Sequence, residues 1–161
     1  MGLAIQYYKY PLYEAFHEAY DMLFHRAKNN RNAAAISLQK HSGQAVTFVL
    51  EDFKQTNLTG KLQGLISKHL SDDMLQSIQS KIWEFKPLFH HALSIGGNTL
   101  KNGFDNTFDS TNHSVARSDI DLVRELLEAL TVTNGADRLK ELDNLLRFAR
   151  FWGERGDDED V

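Results

Sequence analysis

Between positions 90 and 117 the chain gathers His90, His91, Asp105, Asp109, His113 and Arg117. A histidine can give or take a proton near neutral pH, and an arginine can clamp a phosphate. With His113 as general acid or base, Arg117 as the clamp and His90 or His91 as second proton carrier, these residues would make a metal-independent phosphodiesterase, most simply a ribonuclease. Asn98, Asn102, Asp105 and Asp109 would line the same segment. The competing reading is a solvated connector, because Asn, Asp, Ser and Thr satisfy turns and helix caps by themselves. Adjacent helical residues point about 100° apart, so His90 and His91 cannot act as one chelate without partners elsewhere. The run Asp105 to Asp109 lacks the spacing and the glutamate of a calcium-binding EF-hand loop.

A second constellation is Glu14, His17, Asp21 and His25, at steps of three, four and four. That spacing sets them near one face of a helix, where His17, Asp21 and His25 would ligate zinc, or iron in a bundle core. A di-iron bundle requires a second Glu-x-x-His on a facing helix, and the chain has none. A solvated helix face with internal polar pairs is the simpler reading. The glycine patterns of nucleotide-binding loops and the Gly-x-Ser-x-Gly elbow are both absent.

Composition narrows the classes further. The 161 residues suffice for one domain with a buried core, and 42% hydrophobic with 25% charged residues is ordinary for a globular protein. With no cysteine, disulfides, thiolate metal sites and cysteine nucleophiles are excluded. No apolar run approaches the length of a membrane span, and a soluble, cytoplasmic protein without a cofactor is the expectation. The net charge of −4 resides in the terminal acids Asp157, Asp158, Glu159 and Asp160; without them 18 acidic residues face 18 basic ones. A neutral body has no global attraction for nucleic acid, although Arg26, Lys28 and Arg31 form one local basic patch and Arg147, Arg150 and Arg155 another.

These residues are carried by segments that read as helix. Leu12, Phe16, Tyr20, Leu23 and Ala27 predict a helix over 12–28 with one buried stripe. A second helix is predicted over 32–55, with Ile36, Ala45, Phe48, Val49 and Phe53 apolar and Gly43 its weak point. Shorter helices follow over 59–69 and from Ser71 on, split at Pro87 and stopped at Gly96-Gly97. Asn98 to Arg117 then reads as one long polar loop, anchored by Phe104 and Phe108. Leucine-rich helices over 118–130 and 136–153 close the chain and should pair. The expected architecture is all-α: a bundle of five to seven helices over 1–155, with an acidic tail at 156–161.

This layout resembles the HEPN superfamily of small helical domains. The resemblance rests on the small-residue run Asn32-Ala33-Ala34-Ala35-Ile36, on Leu62-Gln63-Gly64-Leu65-Ile66, on Gly97-Asn98, and on the leucine-rich stretch Asp119 to Leu130. HEPN ribonucleases carry an arginine followed four to six residues later by histidine, and no such pair occurs in this chain. The resemblance therefore implies a non-nucleolytic member: a dimeric interaction or nucleotide-binding module of bacterial phage defence or a toxin–antitoxin-like system.

Three readings stay open on the sequence. The first is a non-catalytic interaction module, expected to be a homodimer with a protein partner, for which Tyr7, Tyr8 and Tyr10 are contact candidates. The second is the RNA-cleaving enzyme on the 98–117 segment, with RNA or a nucleotide as its ligand. The third is the metal-binding bundle.

Overall fold

The computed structural model describes residues 1–28, 32–51, 57–67, 72–108, 117–130 and 137–153. Its elements are β1 (Gly2–Ile5), α1 (Leu12–Asp21) continued by a π-helical segment Met22–Ala27, β2 (Ala34–Gln39), β3 (Ala45–Leu50), α2 (Leu58–Ser67), α3 (Asp72–Glu84), α4 (Lys86–Ile95), α5 (Asn98–Thr107), α6 (Arg117–Ala129) and α7 (Arg138–Gly153). The expectation of an all-α bundle is thereby corrected. The fold is mixed, with a three-stranded sheet among the described residues, in the order β1-β2-β3.

The helix expected over 32–55 is a β-hairpin. β2 and β3 pair antiparallel, Ile36 opposite Phe48 and Leu38 opposite Val46. The three-residue loop His41-Ser42-Gly43 joins them, with Gly43 at φ +80°. Glycine reaches that left-handed region without strain, and a three-residue hairpin loop needs it there. The Lys40 N–H donates to the Gln44 carbonyl at 2.9 Å and closes the loop. Along the hairpin Ala34, Ile36, Leu38, Val46, Phe48 and Leu50 enter the main core, while Ala35 and Val49 meet Met22 and Ala27 on the opposite face.

β1 runs parallel to β2, Gly2 opposite Ala35 and Ile5 opposite Leu38, so α1 and its π-helical continuation form the crossover that parallel strands require. The π winding has a local reason. Met22 and Ala27, five residues apart, both pack on the sheet, and a helix bonded i to i+5 turns residues at that spacing toward one side. The segment lies so close to β1 that a Cβ on Gly2 would sit 2.4 Å from the Leu23 nitrogen. Gly2→Ala is therefore expected to cost about 1–3 kcal/mol, the range for overpacking against atoms that cannot move aside. A melting temperature equal to that of the parent chain would refute this close approach.

The other face of the sheet carries the helices. α7 packs against β3 and against α2, α3, α4 and α6, with Leu139, Leu142, Leu145, Leu146, Phe148 and Ala149 buried. α6 buries Ile120, Val123, Leu126 and Leu127 at helical spacing. Pro87 falls at the start of α4 and splits it from α3 at Phe85. α4 stops at Gly96 and Gly97, whose φ values of +74° and +59° turn the chain into α5.

The 98–117 loop is corrected too: residues 98–107 are helix α5. Leu100, Gly103, Phe104 and Thr107 are its buried side, and Phe104 stands 4.9 Å from Phe89 and 5.7 Å from Phe108, ring centroid to centroid. The expected anchoring of both phenylalanines thus holds, on a helix rather than a loop. Residues 109–116 and 131–136 and the acidic segment 156–161 lie outside the described residues.

A half-buried carboxylate lies against the sheet. Glu141 on α7 accepts hydrogen bonds from the Val49 backbone and from Asn144, yet burial dominates and raises its carboxyl pKa. Its Oε2 has no hydrogen-bond partner. A carboxyl whose pKa is higher folded than unfolded destabilises the fold while charged and has no effect once both states are protonated. Glu141→Gln is therefore expected to raise the melting temperature at pH 7, with the gain fading as pH falls through the raised pKa and gone below the ordinary glutamate value. A gain that grew toward acid pH would contradict this.

Candidate interaction face

The helix α1 is inside out. Its stripe Leu12, Phe16, Tyr20, with Tyr13 and Phe24 beside it, follows the spacing expected of a core-facing helix, but it faces away from the body. Leu12 is 71%, Tyr13 81%, Phe16 67%, Tyr20 54% and Phe24 37% exposed. The expectation that this stripe is buried is corrected: no residue of α1 is buried, and only Met22 and Ala27 of the π segment are. α1 packs along β1, with the small residues Ala15 and Ala19 half-buried.

The reason is geometric. Ala15 and Ala19 let the helix lie close to a four-residue edge strand, which has too little surface to cover large side chains as well. The aromatics are left contiguous: Tyr20 and Phe24 stack at 4.4 Å, and Lys28 Nζ lies 3.8 Å from the Phe24 ring centre, a cation–π contact closing the C-terminal end. With an aromatic side chain presenting about 150–250 Å², the five exposed side chains offer roughly 600–700 Å² of apolar surface. That equals or exceeds the largest patch on a typical monomer, about 300–600 Å².

The flanking charges are arranged along the axis. Glu14 and Glu18 belong to the first half, His25, Arg26 and Lys28 to the second. Asp21 stands between them, accepting from His25 Nδ1 at 2.9 Å and Arg26 Nε at 3.1 Å. These two hydrogen bonds hold its carboxyl below the ordinary aspartate range.

That pairing also places the proposed metal ligands. Asp21 and His25 do meet, but Arg26 shares the carboxylate and His17 is exposed. Among the described residues no group of three His, Cys, Asp or Glu is placed to hold a metal ion.

The residues of the enzyme reading are described in part, each with its own partner. Arg117, at the start of α6, is ion-paired with Asp105 of α5, which ties the two helices across the intervening segment. His90 Nε2 lies 3.5 Å from the Asp137 carboxylate, to which Lys86 Nζ bonds at 2.7 Å. Burial works to raise the Asp137 pKa, but Lys86, the Leu139 N–H and the nearby His90 together lower it. No hydrogen bond or ion pair joins Arg117 to His90. His91, Asn98 and Asn102 are exposed, and Asp109 and His113 lie outside the described residues.

Of the three tyrosines, Tyr8 is exposed and Tyr7 sits edge-on to His41 at 4.4 Å. Tyr10 hydrogen-bonds Glu14, which raises the phenol pKa. The exposed α1 face was the feature that sequence reasoning missed, because a helical stripe has the same spacing whether it meets its own body or another molecule. Compared with known proteins, the chain matches no family model and no curated sequence.

Proposed function

We propose that this protein is a non-catalytic interaction module that pairs with a second copy of itself through the outer face of α1. The observation that carries this reading is the uncovered stripe Leu12, Tyr13, Phe16, Tyr20 and Phe24. Its roughly 600–700 Å² approaches the ~800 Å² that each partner contributes to a standard interface. Two copies related by a two-fold axis present the same patch to each other. An antiparallel crossing sets the acidic half of each α1 against the basic half of the other, whereas a parallel one opposes like charges. A membrane surface fits less well, since interfacial helices carry Lys and Arg on their polar face and α1 itself carries Glu14, Glu18 and Asp21. A role in phage defence or a toxin–antitoxin-like system would follow from HEPN kinship and rests on that resemblance alone.

Light scattering behind size exclusion tests the pairing. Near 50 μM, an order-of-magnitude choice for a modest interface, the mass is expected at twice the 18.4 kDa of one chain. A single-chain mass at that concentration overturns the proposal.

A further inference from the structure

Independently of the pairing face, we infer that the groove between α3 and α7, beside the start of β3, is a binding site for a saccharide. Gln76, Gln79, Ser80 and Trp83 follow one another on α3 at the spacing of a single helix face. Asp143 and Arg147 stand one turn apart on α7 and line the same concavity, which measures about 430 Å³. That volume falls within the ~300–1,000 Å³ of small-molecule sites. The groove shares no residue with α1.

The floor of the groove is fixed from within. Asp143 is 6% exposed. Its Oδ1 accepts from Gln79 Nε2 at 2.7 Å and its Oδ2 from Arg147 Nε at 2.9 Å, and Gln79 Nε2 also reaches the Asp143 carbonyl at 3.3 Å. A carboxylate only accepts, so this contact decides which way round the Gln79 amide stands: the nitrogen is committed to Asp143, and Oε1 is left to accept. Arg147 has committed Nε in the same way and keeps its two Nη groups to donate, on a side chain 57% exposed. Neither side chain makes a further hydrogen bond among the described residues. Two side chains held by one carboxylate thus offer an acceptor and a pair of donors before any ligand arrives.

The ligand class follows from that pairing. Each hydroxyl of a sugar ring both gives and takes a hydrogen bond, so two neighbouring hydroxyls answer Gln79 Oε1 and the Arg147 Nη groups together. The exposed Gln76 and Ser80 side chains extend the polar wall to further hydroxyls. A pyranose also presents an apolar face of C–H groups, and Trp83 lines the groove with an indole that is 40% exposed. Lys86 Nζ lies 4.5 Å from the ring centre on one face and leaves the other for stacking. Two other classes fit less well. Lys40 lies over the Phe151 ring, Arg150 is engaged within the protein and Arg147 is ion-paired, so each cation at the groove already has a partner before an anion arrives. A peptide adding a strand needs an open sheet edge, whereas on β3 the Thr47 carbonyl and the Val49 N–H are taken by Asn144 and Glu141 of α7.

Calorimetric titration of the full chain tests this with the methyl glycosides of glucose, galactose, mannose and N-acetylglucosamine and with maltotriose, cellotriose and chitotriose, against triglycine and inorganic phosphate. At least one saccharide is expected to bind saturably with a Kd in the millimolar range or tighter, and triglycine and phosphate each about tenfold or more weaker. Trp83→Ala removes the stacking surface, and Arg147→Lys keeps the charge but loses the planar fork. Each should weaken the saccharide by about fivefold or more, while Lys101→Ala, on an exposed position of α5, should leave it unchanged. If Trp83→Ala fails to fold by circular dichroism, Arg147→Lys, on its exposed side chain, decides alone. Absence of saturable saccharide binding, triglycine or phosphate binding as tightly as every saccharide, or a folded variant of either residue that binds like the parent would each overturn the assignment.

Discussion

Phe48→Ala is expected to remove about 3–5 kcal/mol of folding free energy, the range for deleting a buried phenylalanine from a packed core. Phe48 is 1% exposed, lies opposite Ile36 on β2, and meets the ring of Phe148 on α7 edge-on at 5.4 Å. It sits where the hairpin is fastened to the helices. The polar ties there, the Asn144 side chain donating to the Thr47 carbonyl at 3.0 Å and Glu141 accepting from the Val49 backbone, cannot compensate for a lost ring. Against a total stability of about 5–15 kcal/mol for a domain, the loss would remove roughly a fifth to all of it. Urea denaturation followed by circular dichroism measures it. A cost under about 1 kcal/mol would mean that Phe48 does not join sheet to helices.

The hairpin that Phe48 anchors was hidden in the sequence for a physical reason. β2 is covered on both faces, by the helices on one side and by Met22 and Ala27 on the other. A strand buried on both faces reads as a continuous apolar run without alternation, and Ala33-Ala34-Ala35-Ile36 looks like the start of a good helix. Gly43 then reads as a weak point in that helix, although its positive φ makes it the hairpin turn. Residues 98–107 misled in the opposite sense. Asn, Gly, Asp and Thr are poor helix formers, yet Leu100, Gly103, Phe104 and Thr107 keep helical spacing, and packing against Phe89 prevails over local propensity.

Where local signals and tertiary contacts agreed, the elements were legible. Pro87 splits α3 from α4, Gly96-Gly97 ends α4, and the leucines of α6 and α7 face the core. The site divides along the same line. Asp21 and His25 were correctly placed as neighbours one turn apart, since that contact is local. Spacing located the apolar face of α1 as well, but not the side of the molecule it would occupy, because that depends on how little surface β1 offers.

Phe16→Glu tests that orientation and should convert the proposed dimer to monomer without unfolding the chain. Phe16 lies at the middle of the stripe, between Leu12 and Tyr20, and is 67% exposed in the single chain. A charge placed there is solvated in the monomer, and exposed substitutions usually change stability by about 0.5 kcal/mol or less. In an antiparallel pair the same carboxylate is removed from water at the centre of the interface and counted twice by symmetry. A loss of about 2 kcal/mol per copy, typical of a central anchor residue, makes about 4 kcal/mol in all, or roughly a thousandfold in Kd. Light scattering should then read 18.4 kDa at concentrations where the parent reads twice that, with the melting temperature at high dilution unchanged. The two readouts separate the alternatives. A variant that stays dimeric places the interface elsewhere, and a monomeric variant that also melts far lower at high dilution would mean that α1 covers its own core after all.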